Sequence, residues 1–150
     1  MQESRSLFQI VDQVIQSFVN RSNLTHVKFQ NCVPHQLDHV NHNADLIIFL
    51  LVLIVESALK FVSKKGYVEI GANSKANNFE MWVRNNGKGI PTEMKDLIFD
   101  RQFLLANKQS QTDMGLSIVK RMLNYYGGKI WVECDAKSGN MFVFTVPNQD

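Results

Sequence analysis

Apolar residues recur at Leu7, Ile10, Val11, Val14, Ile15 and Phe18, the spacing of one helix face, and predict an amphipathic helix over 6–21. The stretch "HVKFQNCV" alternates and predicts a strand, and the polar "HQLDHVNHN" after it predicts a loop. A long helix follows over 45–62, with Asn43 as its cap and Gly66 beyond its end. Two alternating runs, "YVEIGANS" and "NFEMWVRNN", flank polar residues around 75–77 and predict an antiparallel hairpin. Pro91 opens a short helix over 91–103, and "LANKQSQTDM" is polar enough to be a loop. "GLSIVKRMLNYYGG" predicts another amphipathic helix, stopped by Gly127 and Gly128. "KIWVECD" and "NMFVFTVPN" then predict a final hairpin around 137–139. This order implies an α+β fold, a two-layer α/β sandwich with helices on one face of a mixed, mostly antiparallel sheet. All of 1–150 reads as a single domain.

Two stretches stand out from the pattern. The run "LIIFLLVLIV", 46–55, is bounded by Asp45 and Glu56 and is too short to span a bilayer. Its helix is apolar all round, so it is expected to be covered all round. Ile47, Leu51, Ile54 and Ala58 form one stripe, expected to face the core. Leu46, Phe49, Leu50, Leu53 and Ser57 form the opposite one. Leu46, Phe49 and Leu53 on that stripe are candidates for a protein contact with a second copy of the chain; the alternative is cover from the chain's own loops. The second stretch is "VRNNGKGIP", 83–91, where a strand runs into a loop. Two glycines two residues apart suit a backbone that approaches a ligand closely.

Composition narrows the classes. A hydrophobic fraction of 45% with 20% charged residues describes a folded chain rather than a disordered one. A net charge of +2 gives no argument for nucleic acid, and none is expected as a partner. Cys32 and Cys134 have neither disulfide nor zinc spacing and are expected to be small buried hydrophobes in a reducing cytosol. The polar start "MQESRSLFQ" does not read as a signal peptide. A cytoplasmic domain without membrane contact of its own is expected, either free or as the soluble part of a larger sensor.

"NNGKGIP", "LIFDRQF" and "MGLSIVKRMLNYYGGKIWVECDAKSGNMFVFTVP" together resemble the ATP-binding domain of sensor histidine kinases, in the superfamily of gyrase and the heat-shock chaperone ATPases. The resemblance covers nearly the whole chain and is most specific from Gly115 to Pro147. It implies a Bergerat fold that binds ATP and Mg²⁺ between a long helix, a glycine loop and a lid, and passes the γ-phosphate to a histidine on a separate dimerisation helix. It also implies that helix, a response regulator or a second copy as partners. By motif, the nucleotide-site residues are Ser57, Lys60, Asn85, Gly87, Gly89, Thr112, Gly115 and Leu116, with Ser57 at the Mg²⁺ position.

Four positions depart from the family pattern. Ser57, in "LIVESALKF", replaces the asparagine that would ligate Mg²⁺; its hydroxyl is an oxygen ligand, but a shorter one, and it equally reads as a space-filler. Asn85 replaces the aspartate that accepts a hydrogen bond from the adenine amino group. Gln111 and Asp113 replace glycines at the phosphate-facing helix entry, where Asp113 also suits an acidic helix cap. The lid, 104–110, is short. Losing three polar contacts would cost roughly 3–9 kcal/mol, enough to take a micromolar site to millimolar or worse. The pattern therefore predicts a degenerate site with weak or lost ATP binding, a pseudokinase acting through protein contacts. A functional ATP and Mg²⁺ site is the alternative.

Phe99 and Phe103 read as core packing. His26, His35, His39 and His42 cluster around a strand and a polar loop. None sits in the helical His-acid setting of a phosphoacceptor, and they read as solvated loop histidines. No catalytic residue is assigned within these residues.

Overall fold

The computed structural model describes residues 5–21, 26–35, 37, 43–62, 65–75, 78–106, 114–135 and 139–147. Helix α1 spans Leu7–Val19 and buries the six residues of its predicted stripe. Ser6 caps it: its hydroxyl accepts from the Gln9 N–H at 3.1 Å, while the Gln9 side chain accepts from the Ser6 N–H at 2.9 Å. Helix α2 spans Ala44–Leu59, and the Asn43 side chain accepts from the Leu46 N–H at 3.1 Å as predicted. Strand β1 is Lys28–Cys32, and β2, Tyr67–Ser74, pairs with β3, Asn78–Asn85, in the predicted hairpin. Two 3-10 turns, Thr92–Met94 and Leu97–Phe99, precede α3, Arg101–Ala106. The single short helix expected over 91–103 is therefore three pieces. Helix α4, Met114–Tyr126, leads into the final hairpin of β4, Lys129–Asp135, and β5, Gly139–Pro147.

The five strands lie in the order β1-β2-β3-β5-β4. Only β1 and β2 run parallel, joined through α2; the other pairs are antiparallel. The helices cover one face. On β3 that face is Phe79, Met81, Val83 and Asn85, all at 0% exposure, alternating with half-buried residues on the other side. Ile47, Leu51, Ile54 and Ala58 of α2 are fully buried against it, as their stripe predicted.

This topology places the site. Strand β5 enters the sheet beside β3, not beside its own hairpin partner alone, so Asn140 stands opposite Asn85. The end of β3, the start of β5 and the C-terminal half of α2 therefore converge.

Two expectations are corrected. Leu46 is 5% exposed and belongs to the core, so it cannot form an outward contact. The helix start sinks inward there, and of the proposed contact residues only Phe49 is open, at 43%. Leu116, in the first turn of α4, is 1% exposed and packs its side chain into the same core, so any part it takes in binding is through its backbone. The two cysteines are free but half-buried rather than buried, because Cys32 lies on an edge strand's outward side and Cys134 near the end of the other edge strand.

Candidate functional site

The site is built on the loop that leaves β3. Gly87 has φ 152°, and a Cβ there would stand 1.7 Å from the Phe61 carbonyl oxygen. That close approach ties the loop to the end of α2. Val62 bridges Gly87, and the Lys88 N–H donates to the Phe61 oxygen at 3.2 Å. Gly87 is thus a glycine that the fold requires.

Gly89 is different. A Cβ on it would meet nothing within 4 Å, and its φ is not positive. Neither strain nor crowding explains a glycine there. The absence of a side chain leaves an open approach to the backbone. Gly89 lines a depression of about 400 Å³ with Lys88, Ile90, Thr92, Lys95 and Cys134.

Asn85 is fully buried at the end of β3. Its Nδ2 donates to the Asn86 carbonyl oxygen at 3.4 Å, and its Oδ1 is buried without a partner. A buried acceptor left unpaired costs about 1–3 kcal/mol. A ligand amino group would satisfy it. The donor end of this amide is engaged within the protein and the acceptor end is not, which is the polarity that an adenine amino group needs. The residues present fit an adenine nucleotide at this point.

On α2, Ser57 is 3% exposed and Lys60 is exposed at the helix's C-terminal cap. The Ser57 hydroxyl is the oxygen at the position where the resemblance expects a Mg²⁺ ligand. Gly115, in the first turn of α4, packs its Cα on Leu53, with the Leu53 Cδ2 3.4 Å from where a Cβ would sit. Leu53 is accordingly half-covered by the chain's own α4. The structure thus brings Ser57, Lys60, Asn85, Gly87 and Gly89 to the junction of α2 and the β3 loop, and docks Gly115 on α2. Thr112, Gln111 and Asp113, with 107–110 of the lid, lie outside the described residues. Phe99 is buried in the core as expected, and Phe103 is half-buried. His26 and His35 are exposed, His35 with its ring 4.8 Å from that of Phe8. His39 and His42 lie outside the described residues.

Sequence reasoning missed three supports of the loop. Asn86 accepts from the Tyr67 N–H at 2.7 Å and ties the loop to β2. Gly139, at φ 89°, lets the Asn85 carbonyl approach to 2.0 Å from where a Cβ would sit. Asn140, 1% exposed, accepts from the Ile90 N–H at 2.8 Å and donates to the Lys88 carbonyl oxygen at 2.9 Å. A signal for Asn140 was present: it shares parity with Phe142, Phe144 and Val146, a polar residue heading the inward face of a strand.

A glycine loop and an orphaned acceptor at the end of a helix-covered sheet fit a nucleotide-binding ATPase domain. Residues 42–150 match the histidine kinase-, DNA gyrase B- and HSP90-like ATPase family, and the chain belongs to it. It is 29% identical over 145 residues to the adaptive-response sensory kinase SasA of Synechocystis sp., a match that covers 94% of this chain and 37% of SasA. The chain therefore spans little more than a third of that relative's length. The nucleotide-free catalytic domain of histidine kinase ThkA superposes with a TM-score of 0.82 at 25% identity, over 99% of this chain and 96% of that one. ThkA in complex with the response regulator TrrA matches with a TM-score of 0.77 at 25% identity, over 96% of this chain and 41% of that one. The chain is a histidine-kinase-type ATPase domain. Among the described residues, no helix is long and apolar enough to cross a membrane.

Proposed function

We propose that this domain binds ATP and serves as the catalytic part of a two-component histidine kinase, passing the γ-phosphate to a histidine outside these residues. The buried, unpartnered Oδ1 of Asn85 carries this reading, because it lies where the resemblance expects the acceptor for the adenine amino group and a ligand donor there would satisfy it. Asn85 orients the base through its amino group. The Gly89 backbone lets the nucleotide approach, and Lys60 supplies a cation at the C-terminal end of α2. Ser57 would hold Mg²⁺ through its hydroxyl; the ion, when bound, neutralises phosphate charge. The phosphoacceptor helix and a response regulator are the partners, by analogy with the ThkA–TrrA complex, and the setting is cytoplasmic.

Calorimetric titration with a non-hydrolysable ATP analogue and Mg²⁺ tests the first half. Incubation with ATP and a dimerisation domain carrying a histidine, followed by detection of acid-labile phosphate, tests the second. Micromolar binding supports the proposal, and no binding at millimolar ligand overturns it. In that event a second reading takes over: a nucleotide-free pseudokinase acting through protein contacts. That reading rests on Ser57 standing where the family has a longer carboxamide, and on Phe49 lying exposed on the same helix.

A further inference from the structure

The backbone on both sides of Gly89 is hydrogen-bonded by the Asn140 side chain. We propose that Asn140 is a positioning residue that fixes the backbone on both sides of Gly89 and so holds the loop ready for its ligand. This inference rests on the nucleotide-binding reading above.

The geometry is specific to an amide. Asn140 presents one acceptor and one donor group, and the loop uses both: Oδ1 takes the Ile90 N–H at 2.8 Å, and Nδ2 gives to the Lys88 oxygen at 2.9 Å. These two bonds bracket Gly89, the residue whose missing Cβ opens on space. At 1% exposure they are shielded from competing water, so each holds the loop more firmly than a surface bond would. Asn140 is itself held in the middle of the sheet, paired to Asn85 on β3 and to Cys134 on β4. The neighbouring Gly139 lets the β3 end press against the start of β5. The anchor is therefore a strand rather than another loop. A loop pre-ordered in this way loses little freedom when it closes on a nucleotide.

The test compares Asn140→Ala with Val14→Ala, a core substitution on α1 that removes buried apolar volume away from the loop. Amide hydrogen exchange reports the clamp itself, without any nucleotide. Titration with the ATP analogue and Mg²⁺ reports its consequence. In Asn140→Ala, exchange at Ile90 is expected to speed at least tenfold beyond any change at core amides of β3, and analogue affinity to fall about tenfold. Val14→Ala is expected to lower the melting temperature while leaving both readings at the loop within twofold. Unchanged Ile90 exchange in Asn140→Ala overturns the proposal, as does accelerated exchange with affinity within twofold of the parent. Equal loss of affinity in Val14→Ala also overturns it, since the effect would then be general destabilisation. Failure of the parent to bind nucleotide overturns the ATP-binding reading and the ligand half of this proposal together; the exchange result still decides whether Asn140 holds the loop.

Discussion

Replacing each loop glycine by alanine separates what the fold needs from what a ligand needs. At position 87 the new Cβ would lie 1.7 Å from the Phe61 oxygen and 2.8 Å from its carbon, both backbone atoms that cannot swing aside. Relief requires the loop to lift from α2, which sacrifices the Lys88–Phe61 hydrogen bond and the Val62–Gly87 bridge. One lost bond at about 1 kcal/mol and backbone strain of about 1–3 kcal/mol give a cost of about 2–4 kcal/mol. For a chain of this length that lowers the melting temperature by roughly 4–16 °C. At position 89 the Cβ meets nothing within 4 Å and the backbone is one that alanine accepts. Stability should stay within about 1 kcal/mol of the parent and can rise slightly, since alanine restricts the unfolded chain. The added methyl instead narrows the open approach to the loop, and affinity for an ATP analogue should fall at least tenfold, about 1.4 kcal/mol. Thermal melting by circular dichroism and calorimetric titration read the two effects. A Gly87→Ala protein that melts within about 2 °C of the parent would refute the packing argument. A Gly89→Ala protein that binds as the parent does would refute the assignment of that opening to the nucleotide.

Asn85→Asp should tighten analogue binding about five- to tenfold, because an ionised acceptor makes a stronger bond than an amide, while the apo protein loses stability from a buried carboxylate; titration and melting check both. Asn43→Ala removes the α2 cap and should cost about 1 kcal/mol, seen as a fall of roughly 2–4 °C in melting temperature. Phe49→Asp should leave the melting temperature nearly unchanged while Leu46→Asp prevents folding, since only the first side chain reaches solvent; equal effects would contradict the burial pattern. Burial first, and then Glu69, push the Cys32 thiol above its ordinary pKa, while Arg84 opposes them. Less thiolate is therefore present at neutral pH than in a free thiol. Glu69→Gln in a Cys134→Ser background should lower that pKa and speed alkylation of Cys32, and an unchanged rate would remove Glu69 as a cause.

The order of elements was legible because each carries its own period. The α1 stripe from Leu7 to Phe18, the β3 alternation from Phe79 to Asn85 and the Asn43 cap are local signals, and the structure keeps all three. Where cover comes from the rest of the chain, periodicity fell short. Leu46 and Phe49 share a helical stripe, but only tertiary packing decides that the first is buried and the second open. The region 91–103 broke into three pieces because its pattern of polar and apolar residues does not sustain a helical period through the 3-10 turns.

The two glycines show why a motif alone underdetermines its site. In sequence Gly87 and Gly89 are equivalent, and a tight turn or a ligand explains either. In the fold one is pressed on a carbonyl and the other faces open space, so packing explains the first and leaves the second to the proposed ligand. The same holds for Asn85. As a letter replacing aspartate it argues for a lost site. As a buried amide whose donor is engaged and whose acceptor is not, it argues for a site whose acceptor awaits a donor. Which reading prevails depends on the orientation of the Asn85 amide, and that orientation follows from the Asn86 carbonyl at 3.4 Å, an oxygen beside which Nδ2 is favoured and Oδ1 repelled. On the proposed reading, the backbone of a neighbouring residue lets the substitution keep the hydrogen-bonding sense of the aspartate it replaces.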